Sequence, residues 1–241
     1  MKIMILSDIH GNKTALEAVQ NYILQKKPDG MILLGDLVDY GPHSNEVIQI
    51  LKQIKMPVFC NISGNHERAV LTGEYDRFST DRGRASARYT RDNLKQQSWD
   101  YMNDSMEKSG QKVFFVEGKK CLAVHGSLKD EFWDAIGPDD DLEEYFDYDY
   151  VFSGHSHLPH VFSKYYKTDN AETRNKKRTV FVNPGSVGQP RNLNPRAQFA
   201  VWDTATDEIA LKGITYDIKK EQEAFSEAVD AFYKKRLENG V

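Results

Sequence analysis

The first half of the chain alternates between short apolar runs and stretches of helical periodicity. Residues 2–7 (KIMILS) form an apolar run of strand length, bounded on its far side by Gly11. Over residues 13–27 Leu16, Val19, Tyr22 and Ile23 fall at helical spacing, and Asn12 stands where an N-cap belongs. The pattern repeats with a strand at 30–35 (GMILLG), a helix over 44–54 and a strand at 57–63 (PVFCNIS). Strand, helix and strand in this order predict parallel pairing through helical crossovers.

The second half changes character. Residues 112–117 (KVFFVE) and 120–126 (KCLAVHG) flank a Gly-Lys turn and predict an antiparallel hairpin. YVFSG, RTVFVN, AQFAVWD and EIALKGI follow as further strands, with little helix until the end. There Phe225, Val229 and Phe232 place an apolar stripe on a closing amphipathic helix. The sum is an α/β protein of two packed mixed β-sheets flanked by helices, in one domain over 1–241 with no linker and no repeat. The acidic run 138–149 (PDDDLEEYFDYD) is expected to open a solvated helix, whose dipole suits carboxylates in its first turn. The basic run 174–178 (RNKKR) is expected to be an exposed loop.

Composition narrows the class. The 241 residues are 28% charged and 39% hydrophobic, an ordinary balance for a folded protein with ample length for a core. A formal net charge of −4 argues against the broad basic face that nucleic acid requires, so nucleic acid is not an expected partner. No apolar run approaches the roughly 18 residues of a bilayer span, and no membrane partner is expected. The start, MKIMILSDIH, reaches Asp8 and His10 within a few residues and shows no small-residue cleavage site, so a cytoplasmic location is the expectation. Cys60 and Cys121 lack C-x-x-C spacing and lie in or beside strand-like runs, as reduced core residues do.

The chemistry lies at the strand ends. Asp8-Ile9-His10, Gly35-Asp36, Gly64-Asn65-His66-Glu67, His125-Gly126 and Gly154-His155-Ser156-His157 each follow a predicted strand, and they hold five of the seven histidines. Loops at the ends of parallel strands converge on one edge of a sheet. Carboxylate, imidazole and amide oxygen without thiolate suit Mn, Fe, Zn, Ni or Co. The candidates are too many for one open tetrahedral site, and their number fits two divalent cations about 3.5–4 Å apart, bridged by one carboxylate.

In this order the motifs D-x-H, G-D, G-N-H-E, H and G-H-x-H closely resemble those of the calcineurin-like metallophosphoesterases, over nearly the whole chain. The resemblance implies the four-layer α-β-β-α sandwich of that family and a metal-dependent hydrolase of phosphoric esters. It implies that Asp8, His10 and His157 bind one metal, that Asn65, His125 and His155 bind the other, and that Asp36 bridges them. It implies that His66 is catalytic, approaching the leaving-group oxygen while a metal-bridging hydroxide attacks phosphorus in line. Glu67 either orients His66 or caps the following helix. His160 lies outside the G-H-x-H pattern and is expected behind the ligands or at the surface.

Protein phosphatases and symmetrical dinucleoside tetraphosphatases of this family carry two arginines that grip the phosphate. Here Tyr40 and Ser63 stand at those positions. GDLVDYGPHSNEV and NPGSVGQPR instead resemble the compact prokaryotic predicted phosphodiesterases. The implied substrate is a small or nucleotide-like phosphate ester, with a phosphomonoester or asymmetrically cleaved dinucleoside polyphosphate as the alternative. A non-catalytic scaffold of the same fold is disfavoured, because such scaffolds lose ligands that are all present here. Asn12, Tyr40 and Arg191 are candidate substrate contacts. Residues 68–91 hold six of the eleven arginines, and Arg84, Arg88 and Arg91 share one helical face. A cap over about 68–95, presenting Arg84 and Arg88 to distal phosphate groups, is the corresponding expectation.

Overall fold

The computed structural model describes residues 1–174 and 176–241, so that Asn175 of the basic run lies outside the described residues. Strands β1 (Lys2–Leu6), β2 (Gly30–Leu33) and β3 (Val58–Asn61) alternate with helices α1 (Lys13–Lys26) and α2 (Ser44–Gln53). The three strands pair in parallel, as strand-helix-strand order demands. Helices α3 (Asn65–Thr72), α4 (Asp81–Asn93) and α5 (Gln96–Asp104) follow, and then the hairpin of β4 (Gln111–Val116) and β5 (Lys119–Val124). Five more strands complete the sheets: β6 (Tyr150–Ser153), β7 (His160–Tyr165), β8 (Arg178–Asn183), β9 (Ala197–Asp203) and β10 (Glu208–Ile214). Their orders are β10-β9-β1-β2-β3 and β4-β5-β6-β8-β7, giving two mixed sheets flanked by helices.

The unbroken apolar run of β1 follows from burial on both faces. Ile3 and Ile5 meet Ile32, Cys60 and Trp202 of their own sheet and Cys121, Tyr150 and Phe152 of the other, closing the core between the sheets. Met4 and Leu6 point the other way, under Leu16, Val19 and Ile23 of α1 and Val47, Ile48 and Leu51 of α2. Both cysteines are buried and free, and burial pushes each thiol up to about 12. Among the described residues no helix is long and apolar enough to cross a membrane.

Three segments differ from expectation. The acidic run contains a single 3-10 turn, Glu143–Tyr145, in place of a longer helix. Its aspartates bond the local backbone instead, Asp140 accepting from Gly137 N at 2.7 Å and Asp141 from Glu143 N at 3.2 Å. The closing helix is broken into α6 (Ile218–Glu223) and α7 (Ala231–Lys235), because Asp230 accepts from Phe232 N at 2.8 Å and restarts the helix as an N-cap. Strand β7, which periodicity did not reveal, pairs antiparallel with β8 at the sheet edge. The C-terminal segment is tied down by the buried Glu221 carboxylate, which accepts from Thr14 N (3.0 Å) and Thr14 Oγ1 (2.5 Å) and lies 2.9 Å from His43 Nδ1.

Candidate metal centre and catalytic cavity

The carboxyl ends of the parallel strands of both sheets meet at one edge. His125, just after β5, reaches across to Leu34 O beyond β2, with its Nδ1 at 2.6 Å. The loops there are strained: Asp8, His10, Asp36, His155 and His157 all have φ between 49° and 60°. Each left-handed residue costs on the order of 1 kcal/mol or more, so the surrounding bonds must hold it. Asp8 N donates to Gly35 O (3.0 Å) and His10 N to Asp36 O (2.9 Å), lacing the first loop to the second. The Asn-Pro-Gly-Ser turn braces the first loop from the other side: Ser186 Oγ donates to Asp8 O at 2.7 Å, and Gly188 N to the same oxygen at 3.0 Å. A Cβ on Gly188 would lie 1.7 Å from Ile9 O, so only glycine permits that approach.

Glu67 braces the G-D loop. Its carboxylate is fully buried and accepts from Asp36 N (2.8 Å), Leu37 N (2.7 Å), Val38 N (3.1 Å) and Gly64 N (2.8 Å). It therefore caps α3 through Gly64 and fixes the conformation of Asp36; it makes no bond to the His66 ring. Glu67→Gln would turn an amide NH2 toward backbone donors and lose the charge-assisted bonds, at about 3 kcal/mol. For a chain of this size that lowers Tm by about 6–12 °C in a thermal melt.

Two groups of donors cluster within 4.8 Å: Asp8, His10, Asp36 and His157, and Asp36, His125 and His155. Asp36 belongs to both. Its Oδ2 lies 3.6 Å from His10 Nε2 and 3.3 Å from His125 Nε2, and its Oδ1 accepts from His66 N at the start of α3 (2.9 Å). Asn65 Oδ1 joins the second group, 3.0 Å from both His125 Nε2 and His155 Nδ1.

The donor chemistry fits cations. His10, His125 and His157 each direct Nδ1 at a backbone carbonyl, of Val38, Leu34 and Gln189 respectively. A carbonyl only accepts, so Nδ1 carries a proton in each ring, and in the neutral form Nε2 is left with the lone pair. His10 Nε2 then faces His157 Nε2 at 3.2 Å, lone pair to lone pair, and His125 Nε2 faces two further acceptors. Asp8 Oδ1, 3.1 Å from His157 Nε2, is buried without a directed hydrogen bond. Converging acceptors repel one another unless a positive charge lies among them. These are two clustered ligand sets for two divalent transition-metal ions.

Burial keeps His10, His155 and His157 in the neutral form that binds a cation. Burial pushes the imidazoles of His10 and His157 down, with His66 adding to the effect on His10 and Arg191 on His157. Burial and the charge of His125 push His155 to about 4. Burial opposes ionisation of Asp36, but His125 and His66 override it and hold the carboxyl well below the usual range. Burial likewise opposes protonation of His125, but the Asp36 carboxylate raises it to about 9. A cation must displace that proton.

His66 stands beside the two groups without joining either. Its Nδ1 bonds the carboxylate of Asp39 at 2.6 Å, and its Nε2 is 3.9 Å from Asp36 Oδ2. Asp39 is itself pinned by Tyr40 N (2.7 Å), Ser86 Oγ (2.6 Å) and Thr90 Oγ1 (2.9 Å), the last two from α4. Motif reading passed over Asp39; the available signal was a second aspartate three residues after Asp36.

The cavity over these groups is about 550 Å³ and is lined by Asp36, Asn65, His66, His155 and His157. Tyr40 and Arg191 line it as well, and the segment after α3 supplies Arg77, Phe78 and Arg82. Arg84 and Arg88 do not reach it. Arg84 bonds Asp81 and the Phe78 carbonyl, while Arg88 lies over the Tyr75 ring. Asn12 is also occupied, capping α1 through Ala15 N (3.0 Å) and donating to Gly188 O (2.9 Å) and Tyr216 Oη (3.2 Å). His160 begins β7, with its ring 5.4 Å from that of Phe162.

The chain belongs to the calcineurin-like phosphoesterase superfamily, whose domain model matches residues 1–207. An uncharacterised protein of Methanocaldococcus jannaschii is 31% identical over 226 residues, covering 92% of this chain and 90% of its own. The crystal structure of a metallophosphoesterase from Sphaerobacter thermophilus matches with a TM-score of 0.77 at 27% identity, covering 100% of both chains. A hypothetical protein from Pyrococcus horikoshii shares the fold, with a TM-score of 0.82 at 22% identity, covering 100% of this chain and 98% of its own. On this fold, two ligand sets sharing an aspartate are the arrangement of a dinuclear-metal phosphoesterase site.

Proposed function

We propose that the protein is a dinuclear-metal phosphodiesterase acting on a small or nucleotide-like phosphate ester. The observation that carries this is the pairing of two ligand sets through Asp36 with an adjacent imidazole, His66, oriented by Asp39. Asp8, His10 and His157 would hold one cation and Asn65, His125 and His155 the other, with Asp36 common to the two groups. Bound there, cations would supply charge neutralisation at the phosphoryl oxygens and a lowered pKa for the attacking water.

The chain's own groups handle the leaving group. Burial disfavours the His66 imidazolium, but Asp36 and Asp39 raise its pKa, so the ring keeps its proton to higher pH. With Nδ1–H held by Asp39, the Nε2 proton is free to pass to the departing alkoxide oxygen. Tyr40 supports the preference for a diester. Its ring packs on His10 (4.6 Å), His66 (4.3 Å, edge to face) and Tyr233 (4.2 Å, stacked), forming an aromatic wall beside the ligands. Such a wall suits the second organic group of a diester better than the extra charge of a monoester.

Chelator-stripped protein, reloaded with Mn2+ and assayed on bis-p-nitrophenyl phosphate, p-nitrophenyl phosphate and a dinucleoside polyphosphate, tests the reading. Metal-dependent turnover fastest on the diester is expected. A higher kcat/KM on the monoester would replace the diesterase reading with a phosphatase one.

A further inference from the structure

The cavity has more positive charge than a single phosphate needs. Four arginines line it: Arg77 and Arg82 of the cap, Arg191 after the Asn-Pro-Gly-Ser turn, and Arg236 from the 3-10 turn following α7. Arg77 is already paired, with Asp130 at 2.5 Å. The other arginine ion pairs are those of Arg68 and Arg84; among the described residues Arg82, Arg191 and Arg236 have none.

These three guanidiniums act on one another. Arg236 is only 7% exposed, and burial, the charge of Arg191 and then that of Arg82 push its pKa down to about 10. The Phe232 ring fixes two of them, with Arg82 4.0 Å and Arg236 5.2 Å from its centroid. Arg191 lines the same cavity as His157 and Tyr40. Arg82, Arg191 and Arg236 therefore bring positive charge to the cavity that the ligand His157 also lines. Arg236 Nε already donates to Val241 O at 2.5 Å, and the like charges that remain around the cavity favour entry of an anion. Guanidinium forks match phosphate oxygens in geometry.

We propose that Arg82, Arg191 and Arg236 form a second anion subsite, which receives a further phosphate group of the ligand whose first phosphate lies at the metal ligands. The assignment rests on the phosphoesterase reading above, and it narrows the substrate to esters bearing at least two phosphate groups. Arg236 and Phe232 lie beyond residues 1–207, so the C-terminal segment, outside the matched family domain, completes the subsite. Nucleotides and sugar bisphosphates offer the same chemistry, and binding measurements separate them.

The test is calorimetric titration of metal-loaded protein carrying His66→Ala, a change that slows turnover without touching the arginines. The probes are ADP against AMP, and fructose 1,6-bisphosphate against fructose 6-phosphate. In at least one pair the second phosphate should tighten Kd by about tenfold or more. Adding Arg82→Gln and Arg191→Gln should shrink that ratio to less than about threefold, and the pair that responds identifies the source of the phosphate. Both pairs binding within about threefold before the arginines are changed would overturn the subsite, as would a preference that survives their loss. A preference that holds in protein retaining no metal would keep the subsite and remove the phosphoesterase reading.

Discussion

Asp36→Asn should reduce bound metal from two ions per chain to at most one and cut diester turnover by roughly 10³-fold or more. The size of the effect follows from where the carboxylate stands. Its Oδ2 is within 3.6 Å of ligand nitrogens from both groups, so a single substitution weakens two sites together. Asparagine keeps the shape and the oxygen that accepts from His66 N, but it removes the charge that offsets converging dications. Fold stability should suffer less than activity, because Glu67 and not Asp36 secures the backbone amides of the loop. Metal content by plasma mass spectrometry, read beside a thermal melt, separates the two outcomes. Two ions per chain with near-normal turnover would remove Asp36 from the bridge.

Changes at His66 should leave both metals in place and lose turnover. His66→Ala is expected to lower kcat by about 10²–10⁴-fold, the usual worth of a positioned general acid. The partner aspartate provides a subtler readout. Asp39 raises the pKa of His66, so the protonated form persists to higher pH and is lost as pH climbs through that raised value. Asp39→Asn removes the raising charge and should move the alkaline limb of the kcat profile to lower pH. Because asparagine can still accept from Nδ1–H, activity on the acid side of that limb should fall less than in His66→Ala. A variant whose profile keeps its alkaline limb while kcat drops uniformly would assign Asp39 a purely structural role.

The legible parts of the molecule were those in which local pattern and tertiary role coincide. Strand β1 is buried on both faces, so its run of apolar residues announces it, and the polar residues after it can only lie at the sheet edge. The five strand-end motifs are visible for the same reason, and the structure gathers their side chains into two groups that share Asp36, with Asn65 against the second. Strand β7 has alternating half-buried and exposed positions at a sheet edge, which leaves HVFSKY without a continuous apolar signal. The closing helix was drawn too long because Phe225, Val229 and Phe232 keep helical spacing across a segment that Asp230 interrupts.

The segment over residues 68–95 shows where sequence stops. Six arginines between residues 68 and 91 pointed to an anion-binding surface, but which of them face the cavity depends on how α4 rolls against the sheet edge. Ser86 and Thr90 turn inward to bond Asp39, and that sends Arg84 and Arg88 to neighbouring contacts while Arg82, a residue earlier on the helix, lines the cavity. Arg236 arrives from more than a hundred residues away, and nothing local in RLENG marks it. The same helix thus serves the proposed acid through Asp39 and the cavity through Arg82.

Two cations acting together should show most directly in a metal titration of the stripped wild-type protein. Mn2+ is added in fractional equivalents while turnover of bis-p-nitrophenyl phosphate is followed. Turnover should stay low through the first equivalent or rise only in part, then saturate at two equivalents per chain. Full activity at one equivalent, or turnover that persists without metal, would contradict the dinuclear centre.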